Sequence, residues 1–323
     1  MSYLISVINL YNLIFSLSFL LQERSIAPYQ WGFYSHTQIN KTAVYTLPPD
    51  MFVFYKAHVD YLGENAVNPD KRRYIIPEEG QRHYIDMDTY PDSLLQKMPF
   101  PFREIEGLFE PDFLSENGTL PWNLQKVYFQ LKEAFLKKDV SNILKYSAES
   151  GHYLGDANVP LHTTSNYNGQ LTGQYGIHGF WESRLPELFF ERYNLFTGKA
   201  DYLPNTSETI WRHILLANQA VDSVLSLEKK LSNELPIDLK YTYSKRGNAI
   251  VKTYSVDYAR AYHTLLHGMV ERQMKRSVKL VGDFWYTCWV DAGQPYLGDL
   301  LHELPRKEPL PVKGSQPFKT RPH

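Results

Sequence analysis

The stretch Lys145–His162, KYSAESGHYLGDANVPLH, constrains this chain more than any other. His152 and Asp156 stand four apart in a helical pattern, so both side chains leave one helix face. Val159-Pro160 then ends the helix, because proline cannot continue it and restricts the residue before it. That turn brings His162 back toward the same space. In HGFWE, His178 and Glu182 repeat the i, i+4 spacing. Imidazoles and carboxylates converging at such spacings make a zinc-type ligand set.

Composition narrows the options around this cluster. The 323 residues suffice for one large domain or two small ones, and 43% hydrophobic residues can form a sizeable core. Net charge is −1, so bulk electrostatics point to neither nucleic acid nor an anionic membrane, and any attraction to phosphate must be local. Cys288 is the one cysteine, which rules out an internal disulfide and a thiolate-rich zinc site. His, Asp and Glu remain as ligands.

Leu4–Leu21 is mostly apolar, carries no charge and is about long enough to span a bilayer. Residues 1–30 read as a processed export signal, which would make the protein periplasmic or secreted. The other readings are a retained anchor that contacts the membrane, or a misassigned start. No lysine or arginine precedes the apolar run, and Pro28 follows Ala27, where cleavage is expected.

Beyond the leader the pattern is helical. A helix is expected to begin near His36, and a second over PDMFVFYKAHVDYLGENAV after the Pro48-Pro49 break. Asn68–Tyr90 and Pro91–Pro121 read as ordered loops. Helices are expected over Asn123–Lys137, Val140–Asp156, Leu185–Tyr193, Ser207–Glu234 and Val256–Asp291, the last broken near Gly282. Ser165–Gly176 is a glycine- and asparagine-rich loop between His162 and His178. Residues 306–323 are rich in proline and lysine and read as a disordered tail. No strand-like alternation or internal repeat stands out, so the expected fold is all-α: a single multi-helix domain, 31–305, with long ordered loops around a metal cleft.

His36, Asp70, His83, His152, Asp156, His162, His178 and Glu182 occupy loops and helix faces that can converge. With WGFYSH, HYID, HYLGDANVPLH and HGFWE, the chain resembles the superfamily of zinc-dependent phospholipases C and single-strand-specific zinc nucleases. The likeness covers roughly residues 31–185. It implies an all-helical phosphodiesterase with three zinc ions. By position, Asp70, His83, His152 and Asp156 would hold the first. His162, His178 and Glu182 would hold the second. His36, Asp156 and the main chain of Trp31 would hold the third, provided Trp31 is the mature N-terminus. Asp70 and Arg73 would then be catalytic, and Tyr84 and Asp86 would contact substrate.

Plainer readings stand beside these. Asp70 could be a turn residue, with Asp60 as a rival ligand. Trp31 and Tyr84 could be packing residues, and Arg73 part of a solvated KRR run. His263 and His267, though four apart, lack a third ligand and read as structural. The substrate stays divided. Glu182 as last ligand and the short His162–His178 gap resemble the phospholipase branch, which points to a phospholipid head group. The Trp31–His36 spacing and Arg73 resemble the nuclease branch, which points to single-stranded nucleic acid. A zinc-stabilised binding protein without turnover is the third reading. No feature points to a protein partner.

Overall fold

Helix α6, Val140–Asp156, lies at the centre of the protein. The computed structural model describes residues 32–306 apart from 100, 111, 247 and 248. The expected leader, Trp31 and all of the expected tail except Arg306 therefore lie outside the described residues. Asp139 starts α6 by accepting a hydrogen bond from the Asn142 amide at 3.2 Å, satisfying a donor that the helix itself cannot. Four helices surround α6: α1 (Phe33–Ala43), α3 (Val59–Asn65), α5 (Leu120–Leu136) and α10 (Met269–Asp291). Between α1 and α3 lies α2, Pro49–Ala57, with proline in its first turn, where a missing N–H costs nothing.

Two close approaches fix α6. Gly151 lets α1 come so near that a Cβ there would lie 1.8 Å from Asn40 Oδ1. Asn40 uses that position to donate to the carbonyls of Leu62, at 3.1 Å, and Ala148, at 3.0 Å. Across the helix, the Trp285 indole of α10 donates to Ser147 O at 3.1 Å and Ser150 Oγ at 3.0 Å. Tyr55 of α2 stacks obliquely on Trp285, and its hydroxyl meets Ser147 Oγ at 2.8 Å. Burying side chains this large contributes about 2–3 kcal/mol each, and the paired polar atoms remove the cost of burying them dry.

The fold is all-α apart from one hairpin, as the residue pattern suggested, but several details differ. Ser207–Glu234 is two helices, α7 (Thr206–Asn218) and α8 (Val221–Glu234), and His58 divides α2 from α3. The loop at Asn68–Tyr90 contains α4, Asn68–Arg72, and 3-10 turns at Pro77–His83 and Met87–Thr89. Pro91–Pro121 contains short helices at Asp92–Leu95, Phe102–Glu106 and Phe113–Asn117. Val256–Asp291 breaks between α9 (Val256–Leu265) and α10, where His267 and Gly268 take the left-handed conformation at φ 47° and 74°. Gly282 does not break the helix. It is a contact point, where a Cβ would lie 1.9 Å from Thr46 Oγ1.

Strands β1, Tyr241–Arg246, and β2, Ala249–Tyr254, form an antiparallel hairpin that contradicts the expectation of no strand. Tyr, Thr, Ile and Val supply the β preference. The period-2 signal is obscured because tyrosine, isoleucine and lysine share a face, so apolar and polar residues do not separate.

Candidate metal centre

Donors come from helices α6 and α1, from helical segment 177–189, and from short elements between them. α6 contributes His152 and Asp156 from one face, and α1 contributes His36 across the gap left by Gly155, where a Cβ would lie 2.9 Å from His36 Nδ1. Helical segment 177–189 contributes His178 and Glu182. It contains a π-turn at Phe180–Arg184, a widening often found where a helix must aim a functional side chain. Ser35 Oγ donates to the Glu182 carbonyl at 2.7 Å, tying this turn to α1. Asp70 in α4, and His83 and His162 in 3-10 turns, supply the rest. Ile85 N–H donates to His162 O at 2.9 Å and His162 Nδ1–H donates to His83 O at 2.6 Å, so two donors are locked by one short ladder.

The structure brings Asp70 and all seven other described candidates together. His152 Nε2 lies 3.0 Å from His83 Nδ1 and 3.4 Å from Asp156 Oδ2, and His83 Nδ1 lies 3.1 Å from Asp156 Oδ2. Asp70 Oδ1 is 3.9 Å from both imidazoles. Glu182 Oε2 is 2.8 Å from His178 Nε2 and 3.5 Å from His162 Nε2, while its Oε1 is 3.2 Å from His36 Nε2. His36 Nε2 also stands 3.3 Å from Asp156 Oδ1, so Asp156 faces donors on both sides. Asp60 is elsewhere, exposed and 2.7 Å from Lys41.

These separations fit a divalent cation. Ligand atoms about 2.0–2.2 Å from a tetrahedral ion lie roughly 3.3–3.5 Å from one another, close to the spacing of most of these pairs. Four groupings have donor atoms that all lie within 4.8 Å of one another: His36, Asp70 and His152; His83, His152 and Asp156; His162, His178 and Glu182; and His36, Asp156 and Glu182. Protonation agrees. Burial lowers the His162 pKa to about 4, so at neutral pH its single N–H sits on Nδ1, facing a carbonyl that can only accept. Its Nε2 then faces Asp156 Oδ1 at 3.8 Å and Glu182 Oε2 at 3.5 Å, on the side where a cation would sit. His83 and His152 are likewise held well below the usual histidine range by burial, with nearby positive charge adding to it. Burial, reinforced by Glu182 and Asp70, pushes Asp156 well above the usual carboxylate range.

The arginines divide in an unexpected way. Arg73 is 7% exposed, with Nη1 3.4 Å from Asp70 Oδ1, so it is not part of a solvated run. Arg72 turns inward to Glu79, Glu149 and Tyr153. Glu79 is fully buried, with Arg82 at 2.9 Å and its Oε1 3.9 Å from His83 Nε2, the nitrogen facing away from the cluster. Its spacing four residues before His83 was the available signal. Tyr84 and Asp86 are buried beside His83, and the Tyr84 hydroxyl donates to Glu116 O at 3.1 Å. His263 meets the Tyr193 hydroxyl at 2.8 Å, well apart in sequence and role from the cluster. Trp31 lies outside the described residues. Its neighbour Gly32 does not, and a Cβ there would lie 3.3 Å from Glu182 Oε1.

Fold and donor set together define a helical protein with one hairpin and a buried histidine–carboxylate cluster that could hold a metal ion. No family model matches the sequence, and no curated protein matches it. Among solved structures it is similar to the alpha toxin from Clostridium absonum, with 14% identity and a TM-score of 0.47 over 81% of this chain and 65% of that one. It is similar to the Clostridium perfringens alpha-toxin isolated from avian strain SWCP at the same identity and TM-score, over 64% of that chain. The chain thus spans just under two thirds of these proteins. A likeness this distant assigns no activity, which has to come from the residues of the centre themselves.

Proposed function

We propose that this chain is a zinc-dependent phosphodiester hydrolase that acts on a phospholipid head group. The observation that carries the reading is the convergence of five imidazoles and three carboxylates at zinc-ligand spacings, with a guanidinium at their edge. Asp70, His83, His152 and Asp156 would hold one ion, and His162, His178 and Glu182 a second. His36 and Asp156 would contribute to a third, with the main chain of Trp31 as the expected partner. Bound zinc lowers the pKa of water toward about 7 and neutralises charge on phosphoryl oxygens.

The protein's own groups supply the rest. Asp70 has the most solvent access of the three carboxylates, at 14% side-chain exposure, and orients the attacking water. Arg73, fixed against Asp70, stabilises charge that develops on the phosphoryl oxygens. Tyr84 and Asp86, beside His83, complete the proposed substrate wall. The lipid preference rests on Glu182 as last ligand and the short His162–His178 gap. Arg73 beside Asp70 is the feature that favours single-stranded nucleic acid instead.

The test measures zinc content and hydrolysis of bis(p-nitrophenyl) phosphate with and without chelator, then turnover of phosphatidylcholine against single-stranded DNA. Zinc-dependent cleavage of the chromogenic ester and of phosphatidylcholine is expected. Zinc without turnover would leave a binding protein, and preferential cleavage of DNA would move the site to the nuclease reading.

A further inference from the structure

The face of the β1–β2 hairpin that packs Tyr241 and Tyr254 inward at its base turns large apolar residues to solvent further out. The register pairs Tyr243 with Lys252 and Lys245 with Ile250, which places all four on one face. All four are exposed, Tyr243 at 73% and Ile250 at 75%. The opposite face carries Thr242, Ser244, Val251 and Thr253, which are partly or fully buried. A hairpin packed only for stability turns its large apolar residues inward. This one turns tyrosine and isoleucine outward on one diagonal and two lysines outward on the other.

Local charge is mainly basic. Ile237–Asp257 contains Lys240, Lys245, Arg246 and Lys252 against Asp238 and Asp257 near its two ends, in a chain of net charge −1. Lys240 is engaged by Glu228 at 2.7 Å, and Lys252 lies 4.0 Å over the Tyr241 ring. The helical turn entering β1 adds exposed Ile237 and Leu239.

We infer that this hairpin face docks on an anionic phospholipid surface, and the inference rests on the lipid reading of the metal centre. Tyrosine and isoleucine enter the headgroup boundary while lysines meet the lipid phosphates. Isoleucine and leucine offer no ring for a base to stack on, so the patch suits lipid better than nucleic acid. The docked face lies next to the site. Tyr254, at the base of β2, stacks on Phe180 with centroids 3.7 Å apart, and Phe180 sits between His178 and Glu182. The loop leading into that segment exposes Leu171 and Tyr175, and a Cβ on its Gly176 would lie 3.9 Å from the Tyr254 hydroxyl.

The test sediments the full-length, zinc-loaded chain with phosphatidylcholine vesicles, with and without phosphatidylglycerol. Tighter binding to the anionic vesicles is expected, weakening as salt rises. A basic residue near such a surface contributes a factor of about five, so Lys245→Glu with Lys252→Glu is expected to lose at least about 25-fold. Tyr243→Ser with Ile250→Ser is expected to lose about tenfold. Both double variants are expected to keep the wild-type thermal midpoint and the wild-type rate on bis(p-nitrophenyl) phosphate. Unchanged vesicle binding in both, or no wild-type preference for anionic vesicles, overturns the inference. So does loss of single-stranded DNA binding with vesicle binding intact. Failure of the soluble ester assay in wild type would count against the hydrolase and leave the vesicle result standing by itself.

Discussion

The two halves of the metal centre are built differently. In the half made by His162, His178 and Glu182, each imidazole has its outer nitrogen on a main-chain carbonyl, His83 O at 2.6 Å and Tyr167 O at 3.1 Å. Those bonds fix ring orientation and leave Nε2 facing inward whether or not an ion is present. In the other half, His36 Nδ1, His152 Nδ1 and His83 Nε2 are buried without a hydrogen-bond partner. Behind those rings orientation comes from packing, through the α1–α6 approach at Gly151 and Gly155, and for His83 from the Glu79 carboxylate 3.9 Å away. One half is set by hydrogen bonds and the other by shape, so they are expected to fail differently.

The largest effect is expected at Asp156, the carboxylate that faces both halves. Asp156→Ala is expected to lower phosphodiester hydrolysis by about a thousandfold or more while the far-UV helical signal stays. Substantial turnover in the zinc-loaded variant would remove Asp156, and the shared-cluster reading with it. Gly155→Ala deletes no donor, but its Cβ would press on His36 Nδ1. It is expected to cost about 1–3 kcal/mol of stability and to lower zinc stoichiometry in the shape-set half. A variant with full zinc content and an unshifted melting curve would mean that α1 yields easily.

Glu79→Gln tests the support behind His83. It is expected to weaken zinc binding by about 10–100-fold in a competition titration, with the His162–His178–Glu182 half keeping its ion. Equal loss from both halves would show that Glu79 stabilises the fold and not one ligand.

The smallest effect concerns pH. His213, 2.9 Å from Asn158 Oδ1, has its pKa lowered by burial to about 4. The unfolded chain binds its proton first, near pH 6.5, so the native state loses stability as pH falls from about 6.5 to 4. That loss is expected to reach about 1–3 kcal/mol, and His213→Gln is expected to remove that share of the acid destabilisation in chelator-treated protein, leaving the shares of His83, His152 and His162. Identical pH profiles for variant and wild type would dismiss it.

Much of the centre is visible in the residues alone. HYLGDANVPLH and HGFWE announce a helix, a proline stop and two i, i+4 pairs, because helix periodicity is a local property. Helix α6 appears where that pattern puts it, while the helix expected over Leu185–Tyr193 starts earlier, at Ile177, and takes in the His178–Glu182 pair. The supporting parts are less visible. Glu79 looks like one acid in PEEGQRH until folding sets it between Arg72, Arg82 and His83. The hairpin escapes notice because its outward face mixes tyrosine, isoleucine and lysine.

The sequence by itself determined which side chains could serve as donors and that helices would carry several of them, since residue type and 3.6-residue spacing are written in the chain. Only the tertiary structure decided that Asp70 rather than Asp60 meets the histidines, that Arg73 is buried beside it, and which carbonyls orient His162 and His178. Those outcomes depend on contacts between residues far apart along the chain, such as the 79 positions between His83 and His162. Packing of α1 on α6 selects among them, and local spacing does not encode it.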